Sequence, residues 1–185
     1  MARIPYADIT GPEAQPLAQQ IAAERGSVLH LYRMLLHSPP VAAGWLRYLT
    51  AIRQQCALPG DIRELVIMRV AALNGASYEA DQHAPYALRE GVTQAQLDAL
   101  ATWEGSDLFD ARERAVLAYT DAMTRNVQVP DLVFAAVRAE FDDRMLVELT
   151  ATVAAYNMVS RFLEALQVHT HDAPASTDAD RTGRM

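Results

Sequence analysis

Glu64, Glu79 and His83 fall in residues 61–91, DIRELVIMRVAALNGASYEADQHAPYALREG, where ionisable side chains are threaded through an apolar helical pattern instead of lying along its outside. Glu79, His83 and Tyr86 are spaced by four and three, so on a helix they share one face. A carboxylate held against apolar helix faces is costly when charged, and its pKa rises unless a cation or several donors stabilise it. A neighbouring imidazole relieves that cost. His83 sharing a proton with either glutamate would be held in one tautomer and would place an acid and a base in one small volume. The competing reading is a Glu–His pair that only fastens two helices together.

The elements that must position these groups form a helical hairpin. Ile62, Leu65, Val66, Arg69, Val70 and Leu73 recur at spacings of three and four after Pro59-Gly60-Asp61, predicting a helix with a mostly apolar stripe. Asn74-Gly75 breaks it, Ser77 is the expected N-cap of a second helix, and Gly91 is its expected stop. A hairpin folded symmetrically about Gly75 and Ala76 leaves Glu64 offset from His83 by about 6 Å along the axis, so contact requires long side chains or a bridging water. Pro85 should bend the second helix one turn after His83.

On either side of the hairpin the pattern stays helical. Helices are expected from Pro12 to about Arg25, from a Ser27 cap through SVLHLYRMLL, and from Val41 to about Gln55 with Trp45, Leu46, Leu49 and Ile52 inward. Thr93-x-x-Gln96 and Asp110-x-x-Glu113 read as capping boxes, opening helices to about Ala101 and to Thr124, with Trp103–Ser106 a loop. Further helices are expected over Asp131–Glu140 and from Asp143 to about Gln167; the last is apolar nearly all round its middle, as a central helix or an oligomer contact would be. β-branched runs are short and nothing alternates, so the fold class is all-α, with a single domain over residues 1–170 and a flexible tail over 171–185.

Composition removes several functions. The 185 residues carry a net charge of −7, with no basic patch to hold nucleic acid. All 16 basic residues are arginine, and the absence of lysine excludes Schiff-base chemistry, pyridoxal phosphate attachment and a Walker-type phosphate loop. Cys56 is the one cysteine and cannot form an internal disulfide; a structural thiol and a lone peroxidatic thiol are its two readings. No apolar run approaches membrane length and the N-terminus lacks a signal core, so a cytoplasmic location is expected, with no membrane partner. His30 on its helix reads as a packed or ligand-touching side chain, and His169-Thr-His171 lacks a third ligand, so no metal is expected.

Glu64, the Asn74-Gly75 break, Ala76-Ser77-Tyr78-Glu79 and His83 together resemble the signature of the carboxymuconolactone decarboxylase and alkylhydroperoxidase D superfamily. In its peroxidase branch a Glu is followed twelve residues on by Cys-x-x-Cys and then by a His four after the second Cys. Glu64 and His83 stand at matching positions, while Ala76 and Glu79 occupy the two cysteine places. His37-Ser38-Pro39-Pro40, Arg112-Glu113-Arg114 and Ala155-Tyr156-Asn157-Met158 extend the resemblance over most of residues 1–170.

The resemblance implies an alkylhydroperoxidase D-like helical domain around the hairpin, assembled as a trimer or hexamer. The chemistry it implies is that of the decarboxylase branch: a cofactor-free lyase or isomerase acting on a small carboxylated lactone or related carbonyl acid. On that reading His83 is the acid or base, Glu64 and Glu79 tune it, and Tyr86 or Asn157 donates to the developing oxyanion. Arg161, one turn after Asn157, and Arg69 are alternative holders of a substrate carboxylate. A non-catalytic small-molecule-binding or assembly protein is the alternative. Thiol peroxidase chemistry lacks its cysteine pair.

Overall fold

The computed structural model describes residues 1–172. Among them the regular elements are helical: α1 Gln15–Arg25, α2 His30–Leu35, α3 Pro39–Gln54, α4 Gly60–Asn74, α5 Ser77–Glu90, α6 Gln94–Ala99, a 3-10 helix Leu100–Gly105, α7 Ala111–Asn126, α8 Asp131–Glu140 and α9 Asp143–Leu166. None is long and apolar enough to cross a membrane. Contacts divide the described residues into two compact units, one of Met1–Thr50 with residues 165–172, the other Ala51–Glu164.

In the first unit α1 ends at Gly26, whose φ of 83° lets its N–H reach the Ala22 carbonyl. The helix starts at Gln15 rather than Pro12, because residues 12–14 form a turn closed by the Gly11 carbonyl, which accepts from the Ala14 and Gln15 N–H groups. Ser27 does not cap α2; Leu29, in extended backbone, precedes His30. His30 stacks on Tyr6 at 4.9 Å and its Nδ1 lies 3.1 Å from the His169 carbonyl, so it is a packing residue of this unit. Tyr6 donates to Asp172 at 2.5 Å and the N-terminal ammonium lies 3.4 Å from the same carboxylate. These contacts anchor the start of the segment expected to be a loose tail; residues 173–185 of that segment lie outside the described residues. Among the described residues no group of three or more potential metal ligands occurs.

The second unit is built on α4. Sequence periodicity gave this helix one apolar stripe, but Glu64, Leu65, Val66, Ile67, Met68, Arg69, Val70 and Ala71 are all buried in succession. It packs against both α5 and α7, so little of its circumference is left for water. Leu65 and Met68 join Ala87, Val92, Leu100, Trp103, Phe109 and Leu117 in one apolar cluster. The stretch expected as a loop after α6 is the 3-10 helix, with Leu100 and Trp103 turned inward.

Arg69 is tolerated in this interior because each of its three guanidinium nitrogens is bonded. Its Nε and Nη2 each lie 2.6 Å from the two Asp121 oxygens, and Nη1 donates to the Leu100 carbonyl. The expected capping boxes form at Thr93 and Asp110. Glu148 of α9 accepts the Ala57 and Leu58 N–H groups at 2.7 and 2.9 Å, fixing the chain as it enters α4.

Candidate functional site

Gly75 has a φ of 65°, the left-handed conformation glycine adopts without strain, and this turns α4 back into α5. Ala76 N–H then bonds the Ala71 carbonyl and α5 begins at Ser77, which lies inside the helix rather than capping it. This tight closure sets Glu64 of α4 against His83 of α5, with His83 Nδ1 2.7 Å from Glu64 Oε2. The axial offset expected from symmetric folding is closed directly by the two side chains. Pro85 lies within α5, which continues to Glu90.

Glu64 is 1% exposed and His83 8%. Burial is the largest influence on Glu64 and raises its pKa, but it is outweighed by the bond to His83 and by the charges of Arg63 and Arg53, which hold the carboxyl below its ordinary value. Arg63 Nε donates to Glu64 Oε1 at 3.2 Å, and its Nη2 reaches Glu90 at 3.3 Å. For His83, burial dominates and lowers the pKa; Glu64 opposes this, and Arg53 and Arg63 add to the lowering. The pair therefore rests as an ionised Glu64 accepting from Nδ1–H of a neutral imidazole. Nε2 is left as a base with no hydrogen-bond partner among the described residues. Tyr156 of α9 stands edge-on to the imidazole at 5.1 Å, fixing the ring plane, and Tyr86 is tilted against it at 5.9 Å. Burial drives the Tyr156 phenol far above its ordinary range, so it stays a neutral donor.

Glu79 does not share the His83 proton; it faces Ser160. It is 2% exposed, its Oε2 lies 3.0 Å from Ser160 Oγ, and its Oε1 has no hydrogen-bond partner among the described residues. Burial raises its pKa well above 4.5, Ser160 opposes this, and the Glu164 carboxylate adds to the rise. Geometry points the same way. Ser160 Oγ is also 3.0 Å from the Tyr156 carbonyl, and one hydroxyl proton cannot serve both oxygens. With the serine proton on the carbonyl, the Oγ to Oε2 contact is bonded only if Glu79 supplies the proton as a neutral acid.

That state has a measurable consequence for stability. A glutamate whose pKa is raised on folding binds more protons folded than unfolded, so stability falls as pH rises above the unfolded value near 4.5. Glu79→Gln, neutral at every pH, should remove that slope. The difference in unfolding free energy between wild type and variant should change by up to about 1.4 kcal/mol per pH unit above pH 4.5, in the variant's favour, when urea unfolding is followed across pH. Parallel curves would show that Glu79 ionises as freely folded as unfolded.

The remaining nominated residues divide. Tyr86 stays near His83 and is 39% exposed, with the Arg53 and Arg89 guanidinium carbons 5.0 and 4.3 Å from its ring centre. Asn157 is consumed by protein: its amide donates to Thr124 Oγ1 and the Val153 carbonyl, and its carbonyl accepts from Asn74 and Arg161. Arg161 Nη1 is bonded to Asn157 through both its side-chain and main-chain oxygens, at 2.8 and 3.1 Å. Arg69 is bound to Asp121, away from these groups. Sequence reasoning missed Arg53, Arg63, Tyr156 and Ser160. Two of them had a signal: Arg53 is four residues after the inward-facing Leu49, and Tyr156 carries a hydroxyl in the most apolar stretch of α9. Burial, and then the Glu148 carboxylate, push the Cys56 thiol up, opposite to what a reactive thiolate needs.

Comparison with known proteins adds four findings. Residues 39–122 match the model of the carboxymuconolactone decarboxylase family. The uncharacterized protein YdfG of Bacillus subtilis (strain 168) is 27% identical over 115 residues, which are 61% of this chain and 78% of that protein. Among solved structures, an uncharacterized peroxidase-related protein from Ralstonia eutropha JMP134 with an alkylhydroperoxidase AhpD core superimposes with a TM-score of 0.78 at 18% identity, covering 92% of this chain and 93% of that one. A variant of the debrominase Bmp8 in complex with 2,3,4-tribromopyrrole does so with a TM-score of 0.74 at 17% identity, covering 96% and 93%. At these identities the superpositions establish the AhpD-like helical fold.

Proposed function

Since residues 39–122 belong to the carboxymuconolactone decarboxylase family, we propose that this protein is an acid/base enzyme working without a bound cofactor. We infer a lyase or isomerase acting on a small carboxylated lactone or related carbonyl acid. The observation that carries this reading is the buried Glu64–His83 pair, 2.7 Å apart, with the second imidazole nitrogen uncommitted. Glu64 fixes the tautomer, so Nε2 is oriented to take a proton from carbon beside a carbonyl. Glu79, a neutral acid four residues earlier on the same helix, is the second proton-bearing group. When a carboxylate leaves as carbon dioxide, the electron pair of the broken bond passes into the lactone carbonyl as an enolate. A proton delivered to carbon then completes the exchange. Tyr86, at the edge of the site, and the neutral Tyr156 phenol are the donors available to that oxygen.

The debrominase complex supports the reading in one respect, because it carries a small planar ring on this fold. Two-thiol chemistry is no part of this reading, since Ala76 and Glu79 stand in the cysteine places. A second reading, a non-catalytic small-molecule-binding protein, is favoured by the internal bonding of Asn157 and Arg161. We also infer a homo-oligomer, trimer or hexamer as the family resemblance implies. Leu132 and Phe134 of α8 and Val147 and Met158 of α9 are apolar side chains left exposed in the single chain. The test is incubation of wild-type protein with unsaturated carboxylated lactones in deuterated water, followed by proton NMR. Loss of carbon dioxide or deuterium entry beside the carbonyl is expected. Binding with neither event would favour the second reading.

A further inference from the structure

We propose that Arg53 receives a carboxylate of the substrate, specifically one that survives the reaction, and thereby selects anionic rings over neutral ones. The inference rests on the acid/base reading of the same site and names how that site holds its ligand. Of the arginines nominated from sequence, Arg69 is spent on Asp121 and Leu100, and Arg161 is exposed with its Nη1 on Asn157. Arg63 is divided between Glu64 and Glu90. Arg53, in the last turn of α3, is half-buried and is in no ion pair among the described residues.

Its guanidinium lies 5.0 Å from the Tyr86 ring centre, and that ring in turn lies 5.9 Å from His83. Glu64, His83 and Tyr156 all feel its charge. A half-buried cation in no ion pair has lost water and gained in exchange the Tyr86 side chain, through its ring and a hydrogen bond, and the more distant charge of Glu64. A ligand carboxylate restores the balance through the bidentate geometry that guanidinium favours. Arg89, exposed and 4.3 Å from the same ring, adds positive charge at the entrance.

Which carboxylate Arg53 holds follows from energetics. Pairing a leaving carboxylate with a guanidinium would stabilise the ground state and be lost on the way to carbon dioxide, slowing the step. Arg53 therefore suits a retained carboxylate, with Tyr86 as the flat wall between it and the carbon facing His83.

The experiment measures binding and requires no turnover. γ-Butyrolactone-γ-carboxylate and its neutral methyl ester are titrated into the full chain by calorimetry. Wild type should bind the acid about tenfold or more tightly than the ester, the magnitude of a charge-assisted bond. Arg53→Met should abolish that preference, Arg53→Lys should keep part of it, and Arg89→Met should weaken it less than Arg53→Met. If circular dichroism shows Arg53→Met to be unfolded, Arg53→Gln replaces it with the same expectations. Equal binding of acid and ester by wild type, or an undiminished preference without Arg53, overturns the proposal. Failure of the acid/base reading would look different: turnover or deuterium exchange unaffected by loss of His83, with the acid preference intact.

Discussion

His83→Gln should lower turnover by about 10²- to 10⁴-fold, the range that a positioned proton-transfer group contributes, with helix content unchanged. The substitution is chosen for its geometry. The glutamine amide can still donate to Glu64, so the buried carboxylate keeps its partner, while the basic Nε2 is removed. Wild-type rate should also depend on pH in a defined direction. Burial and the two arginines lower the His83 pKa from 6.5, so the acid limb of the profile should fall below that value and the rate should rise as the imidazole becomes neutral. Glu64→Gln removes the influence that opposes the lowering, and should shift the limb further down while reducing the plateau. Full activity in His83→Gln would remove His83 from the mechanism.

The largest effect on stability is expected at Arg69. Arg69→Met fills similar space but leaves Asp121 inside the second unit with only Trp103 Nε1 at 3.4 Å and the outward-facing Arg125 at 3.5 Å. Removing one member of a buried, bidentate pair costs about 3–5 kcal/mol, a large share of the roughly 5–15 kcal/mol that holds a domain folded. Urea unfolding should show that loss. The double replacement Arg69→Met with Asp121→Leu should recover most of it, because the penalty lies in the stranded charge. A loss under about 1 kcal/mol in the single variant would show that water reaches the pair.

Local signals carried the outline of the fold. Gly75 and Gly91 ended their helices in left-handed backbone as expected, and the Thr93 and Asp110 boxes formed, because each depends only on residues within one turn. Ser27 and Ser77 misled for the same reason: a residue able to cap does so only where the preceding backbone is placed for it. The faces of α4 were harder to read. Spacing marked one apolar stripe with Arg69 on it, whereas the helix is buried on almost every side, and its charged residues Glu64 and Arg69 are matched by His83 and Asp121 from other helices. Nothing in the spacing of Asp121 distinguishes it from a surface aspartate.

The site was legible in its centre and not at its edge. Glu64 and His83 were marked by position within an apolar pattern, and their contact needed only one hairpin. Glu79 was marked too, but its partner Ser160 lies on α9, so its bonding to that serine could not be foreseen from the i, i+4 spacing that placed it on one face with His83. Asn157 was a buried amide in need of partners, and the fold supplied all of them from protein. Arg53 and Tyr156 come to His83 through packing between distant helices.

Nitrogen-15 NMR of the His83 imidazole across pH tests the site most directly. At neutral pH Nδ1 should carry the proton and Nε2 should show the shift of an unprotonated ring nitrogen, with the ring becoming charged only below pH 6.5. A proton on Nε2, or an imidazolium persisting to neutral pH, would contradict the account.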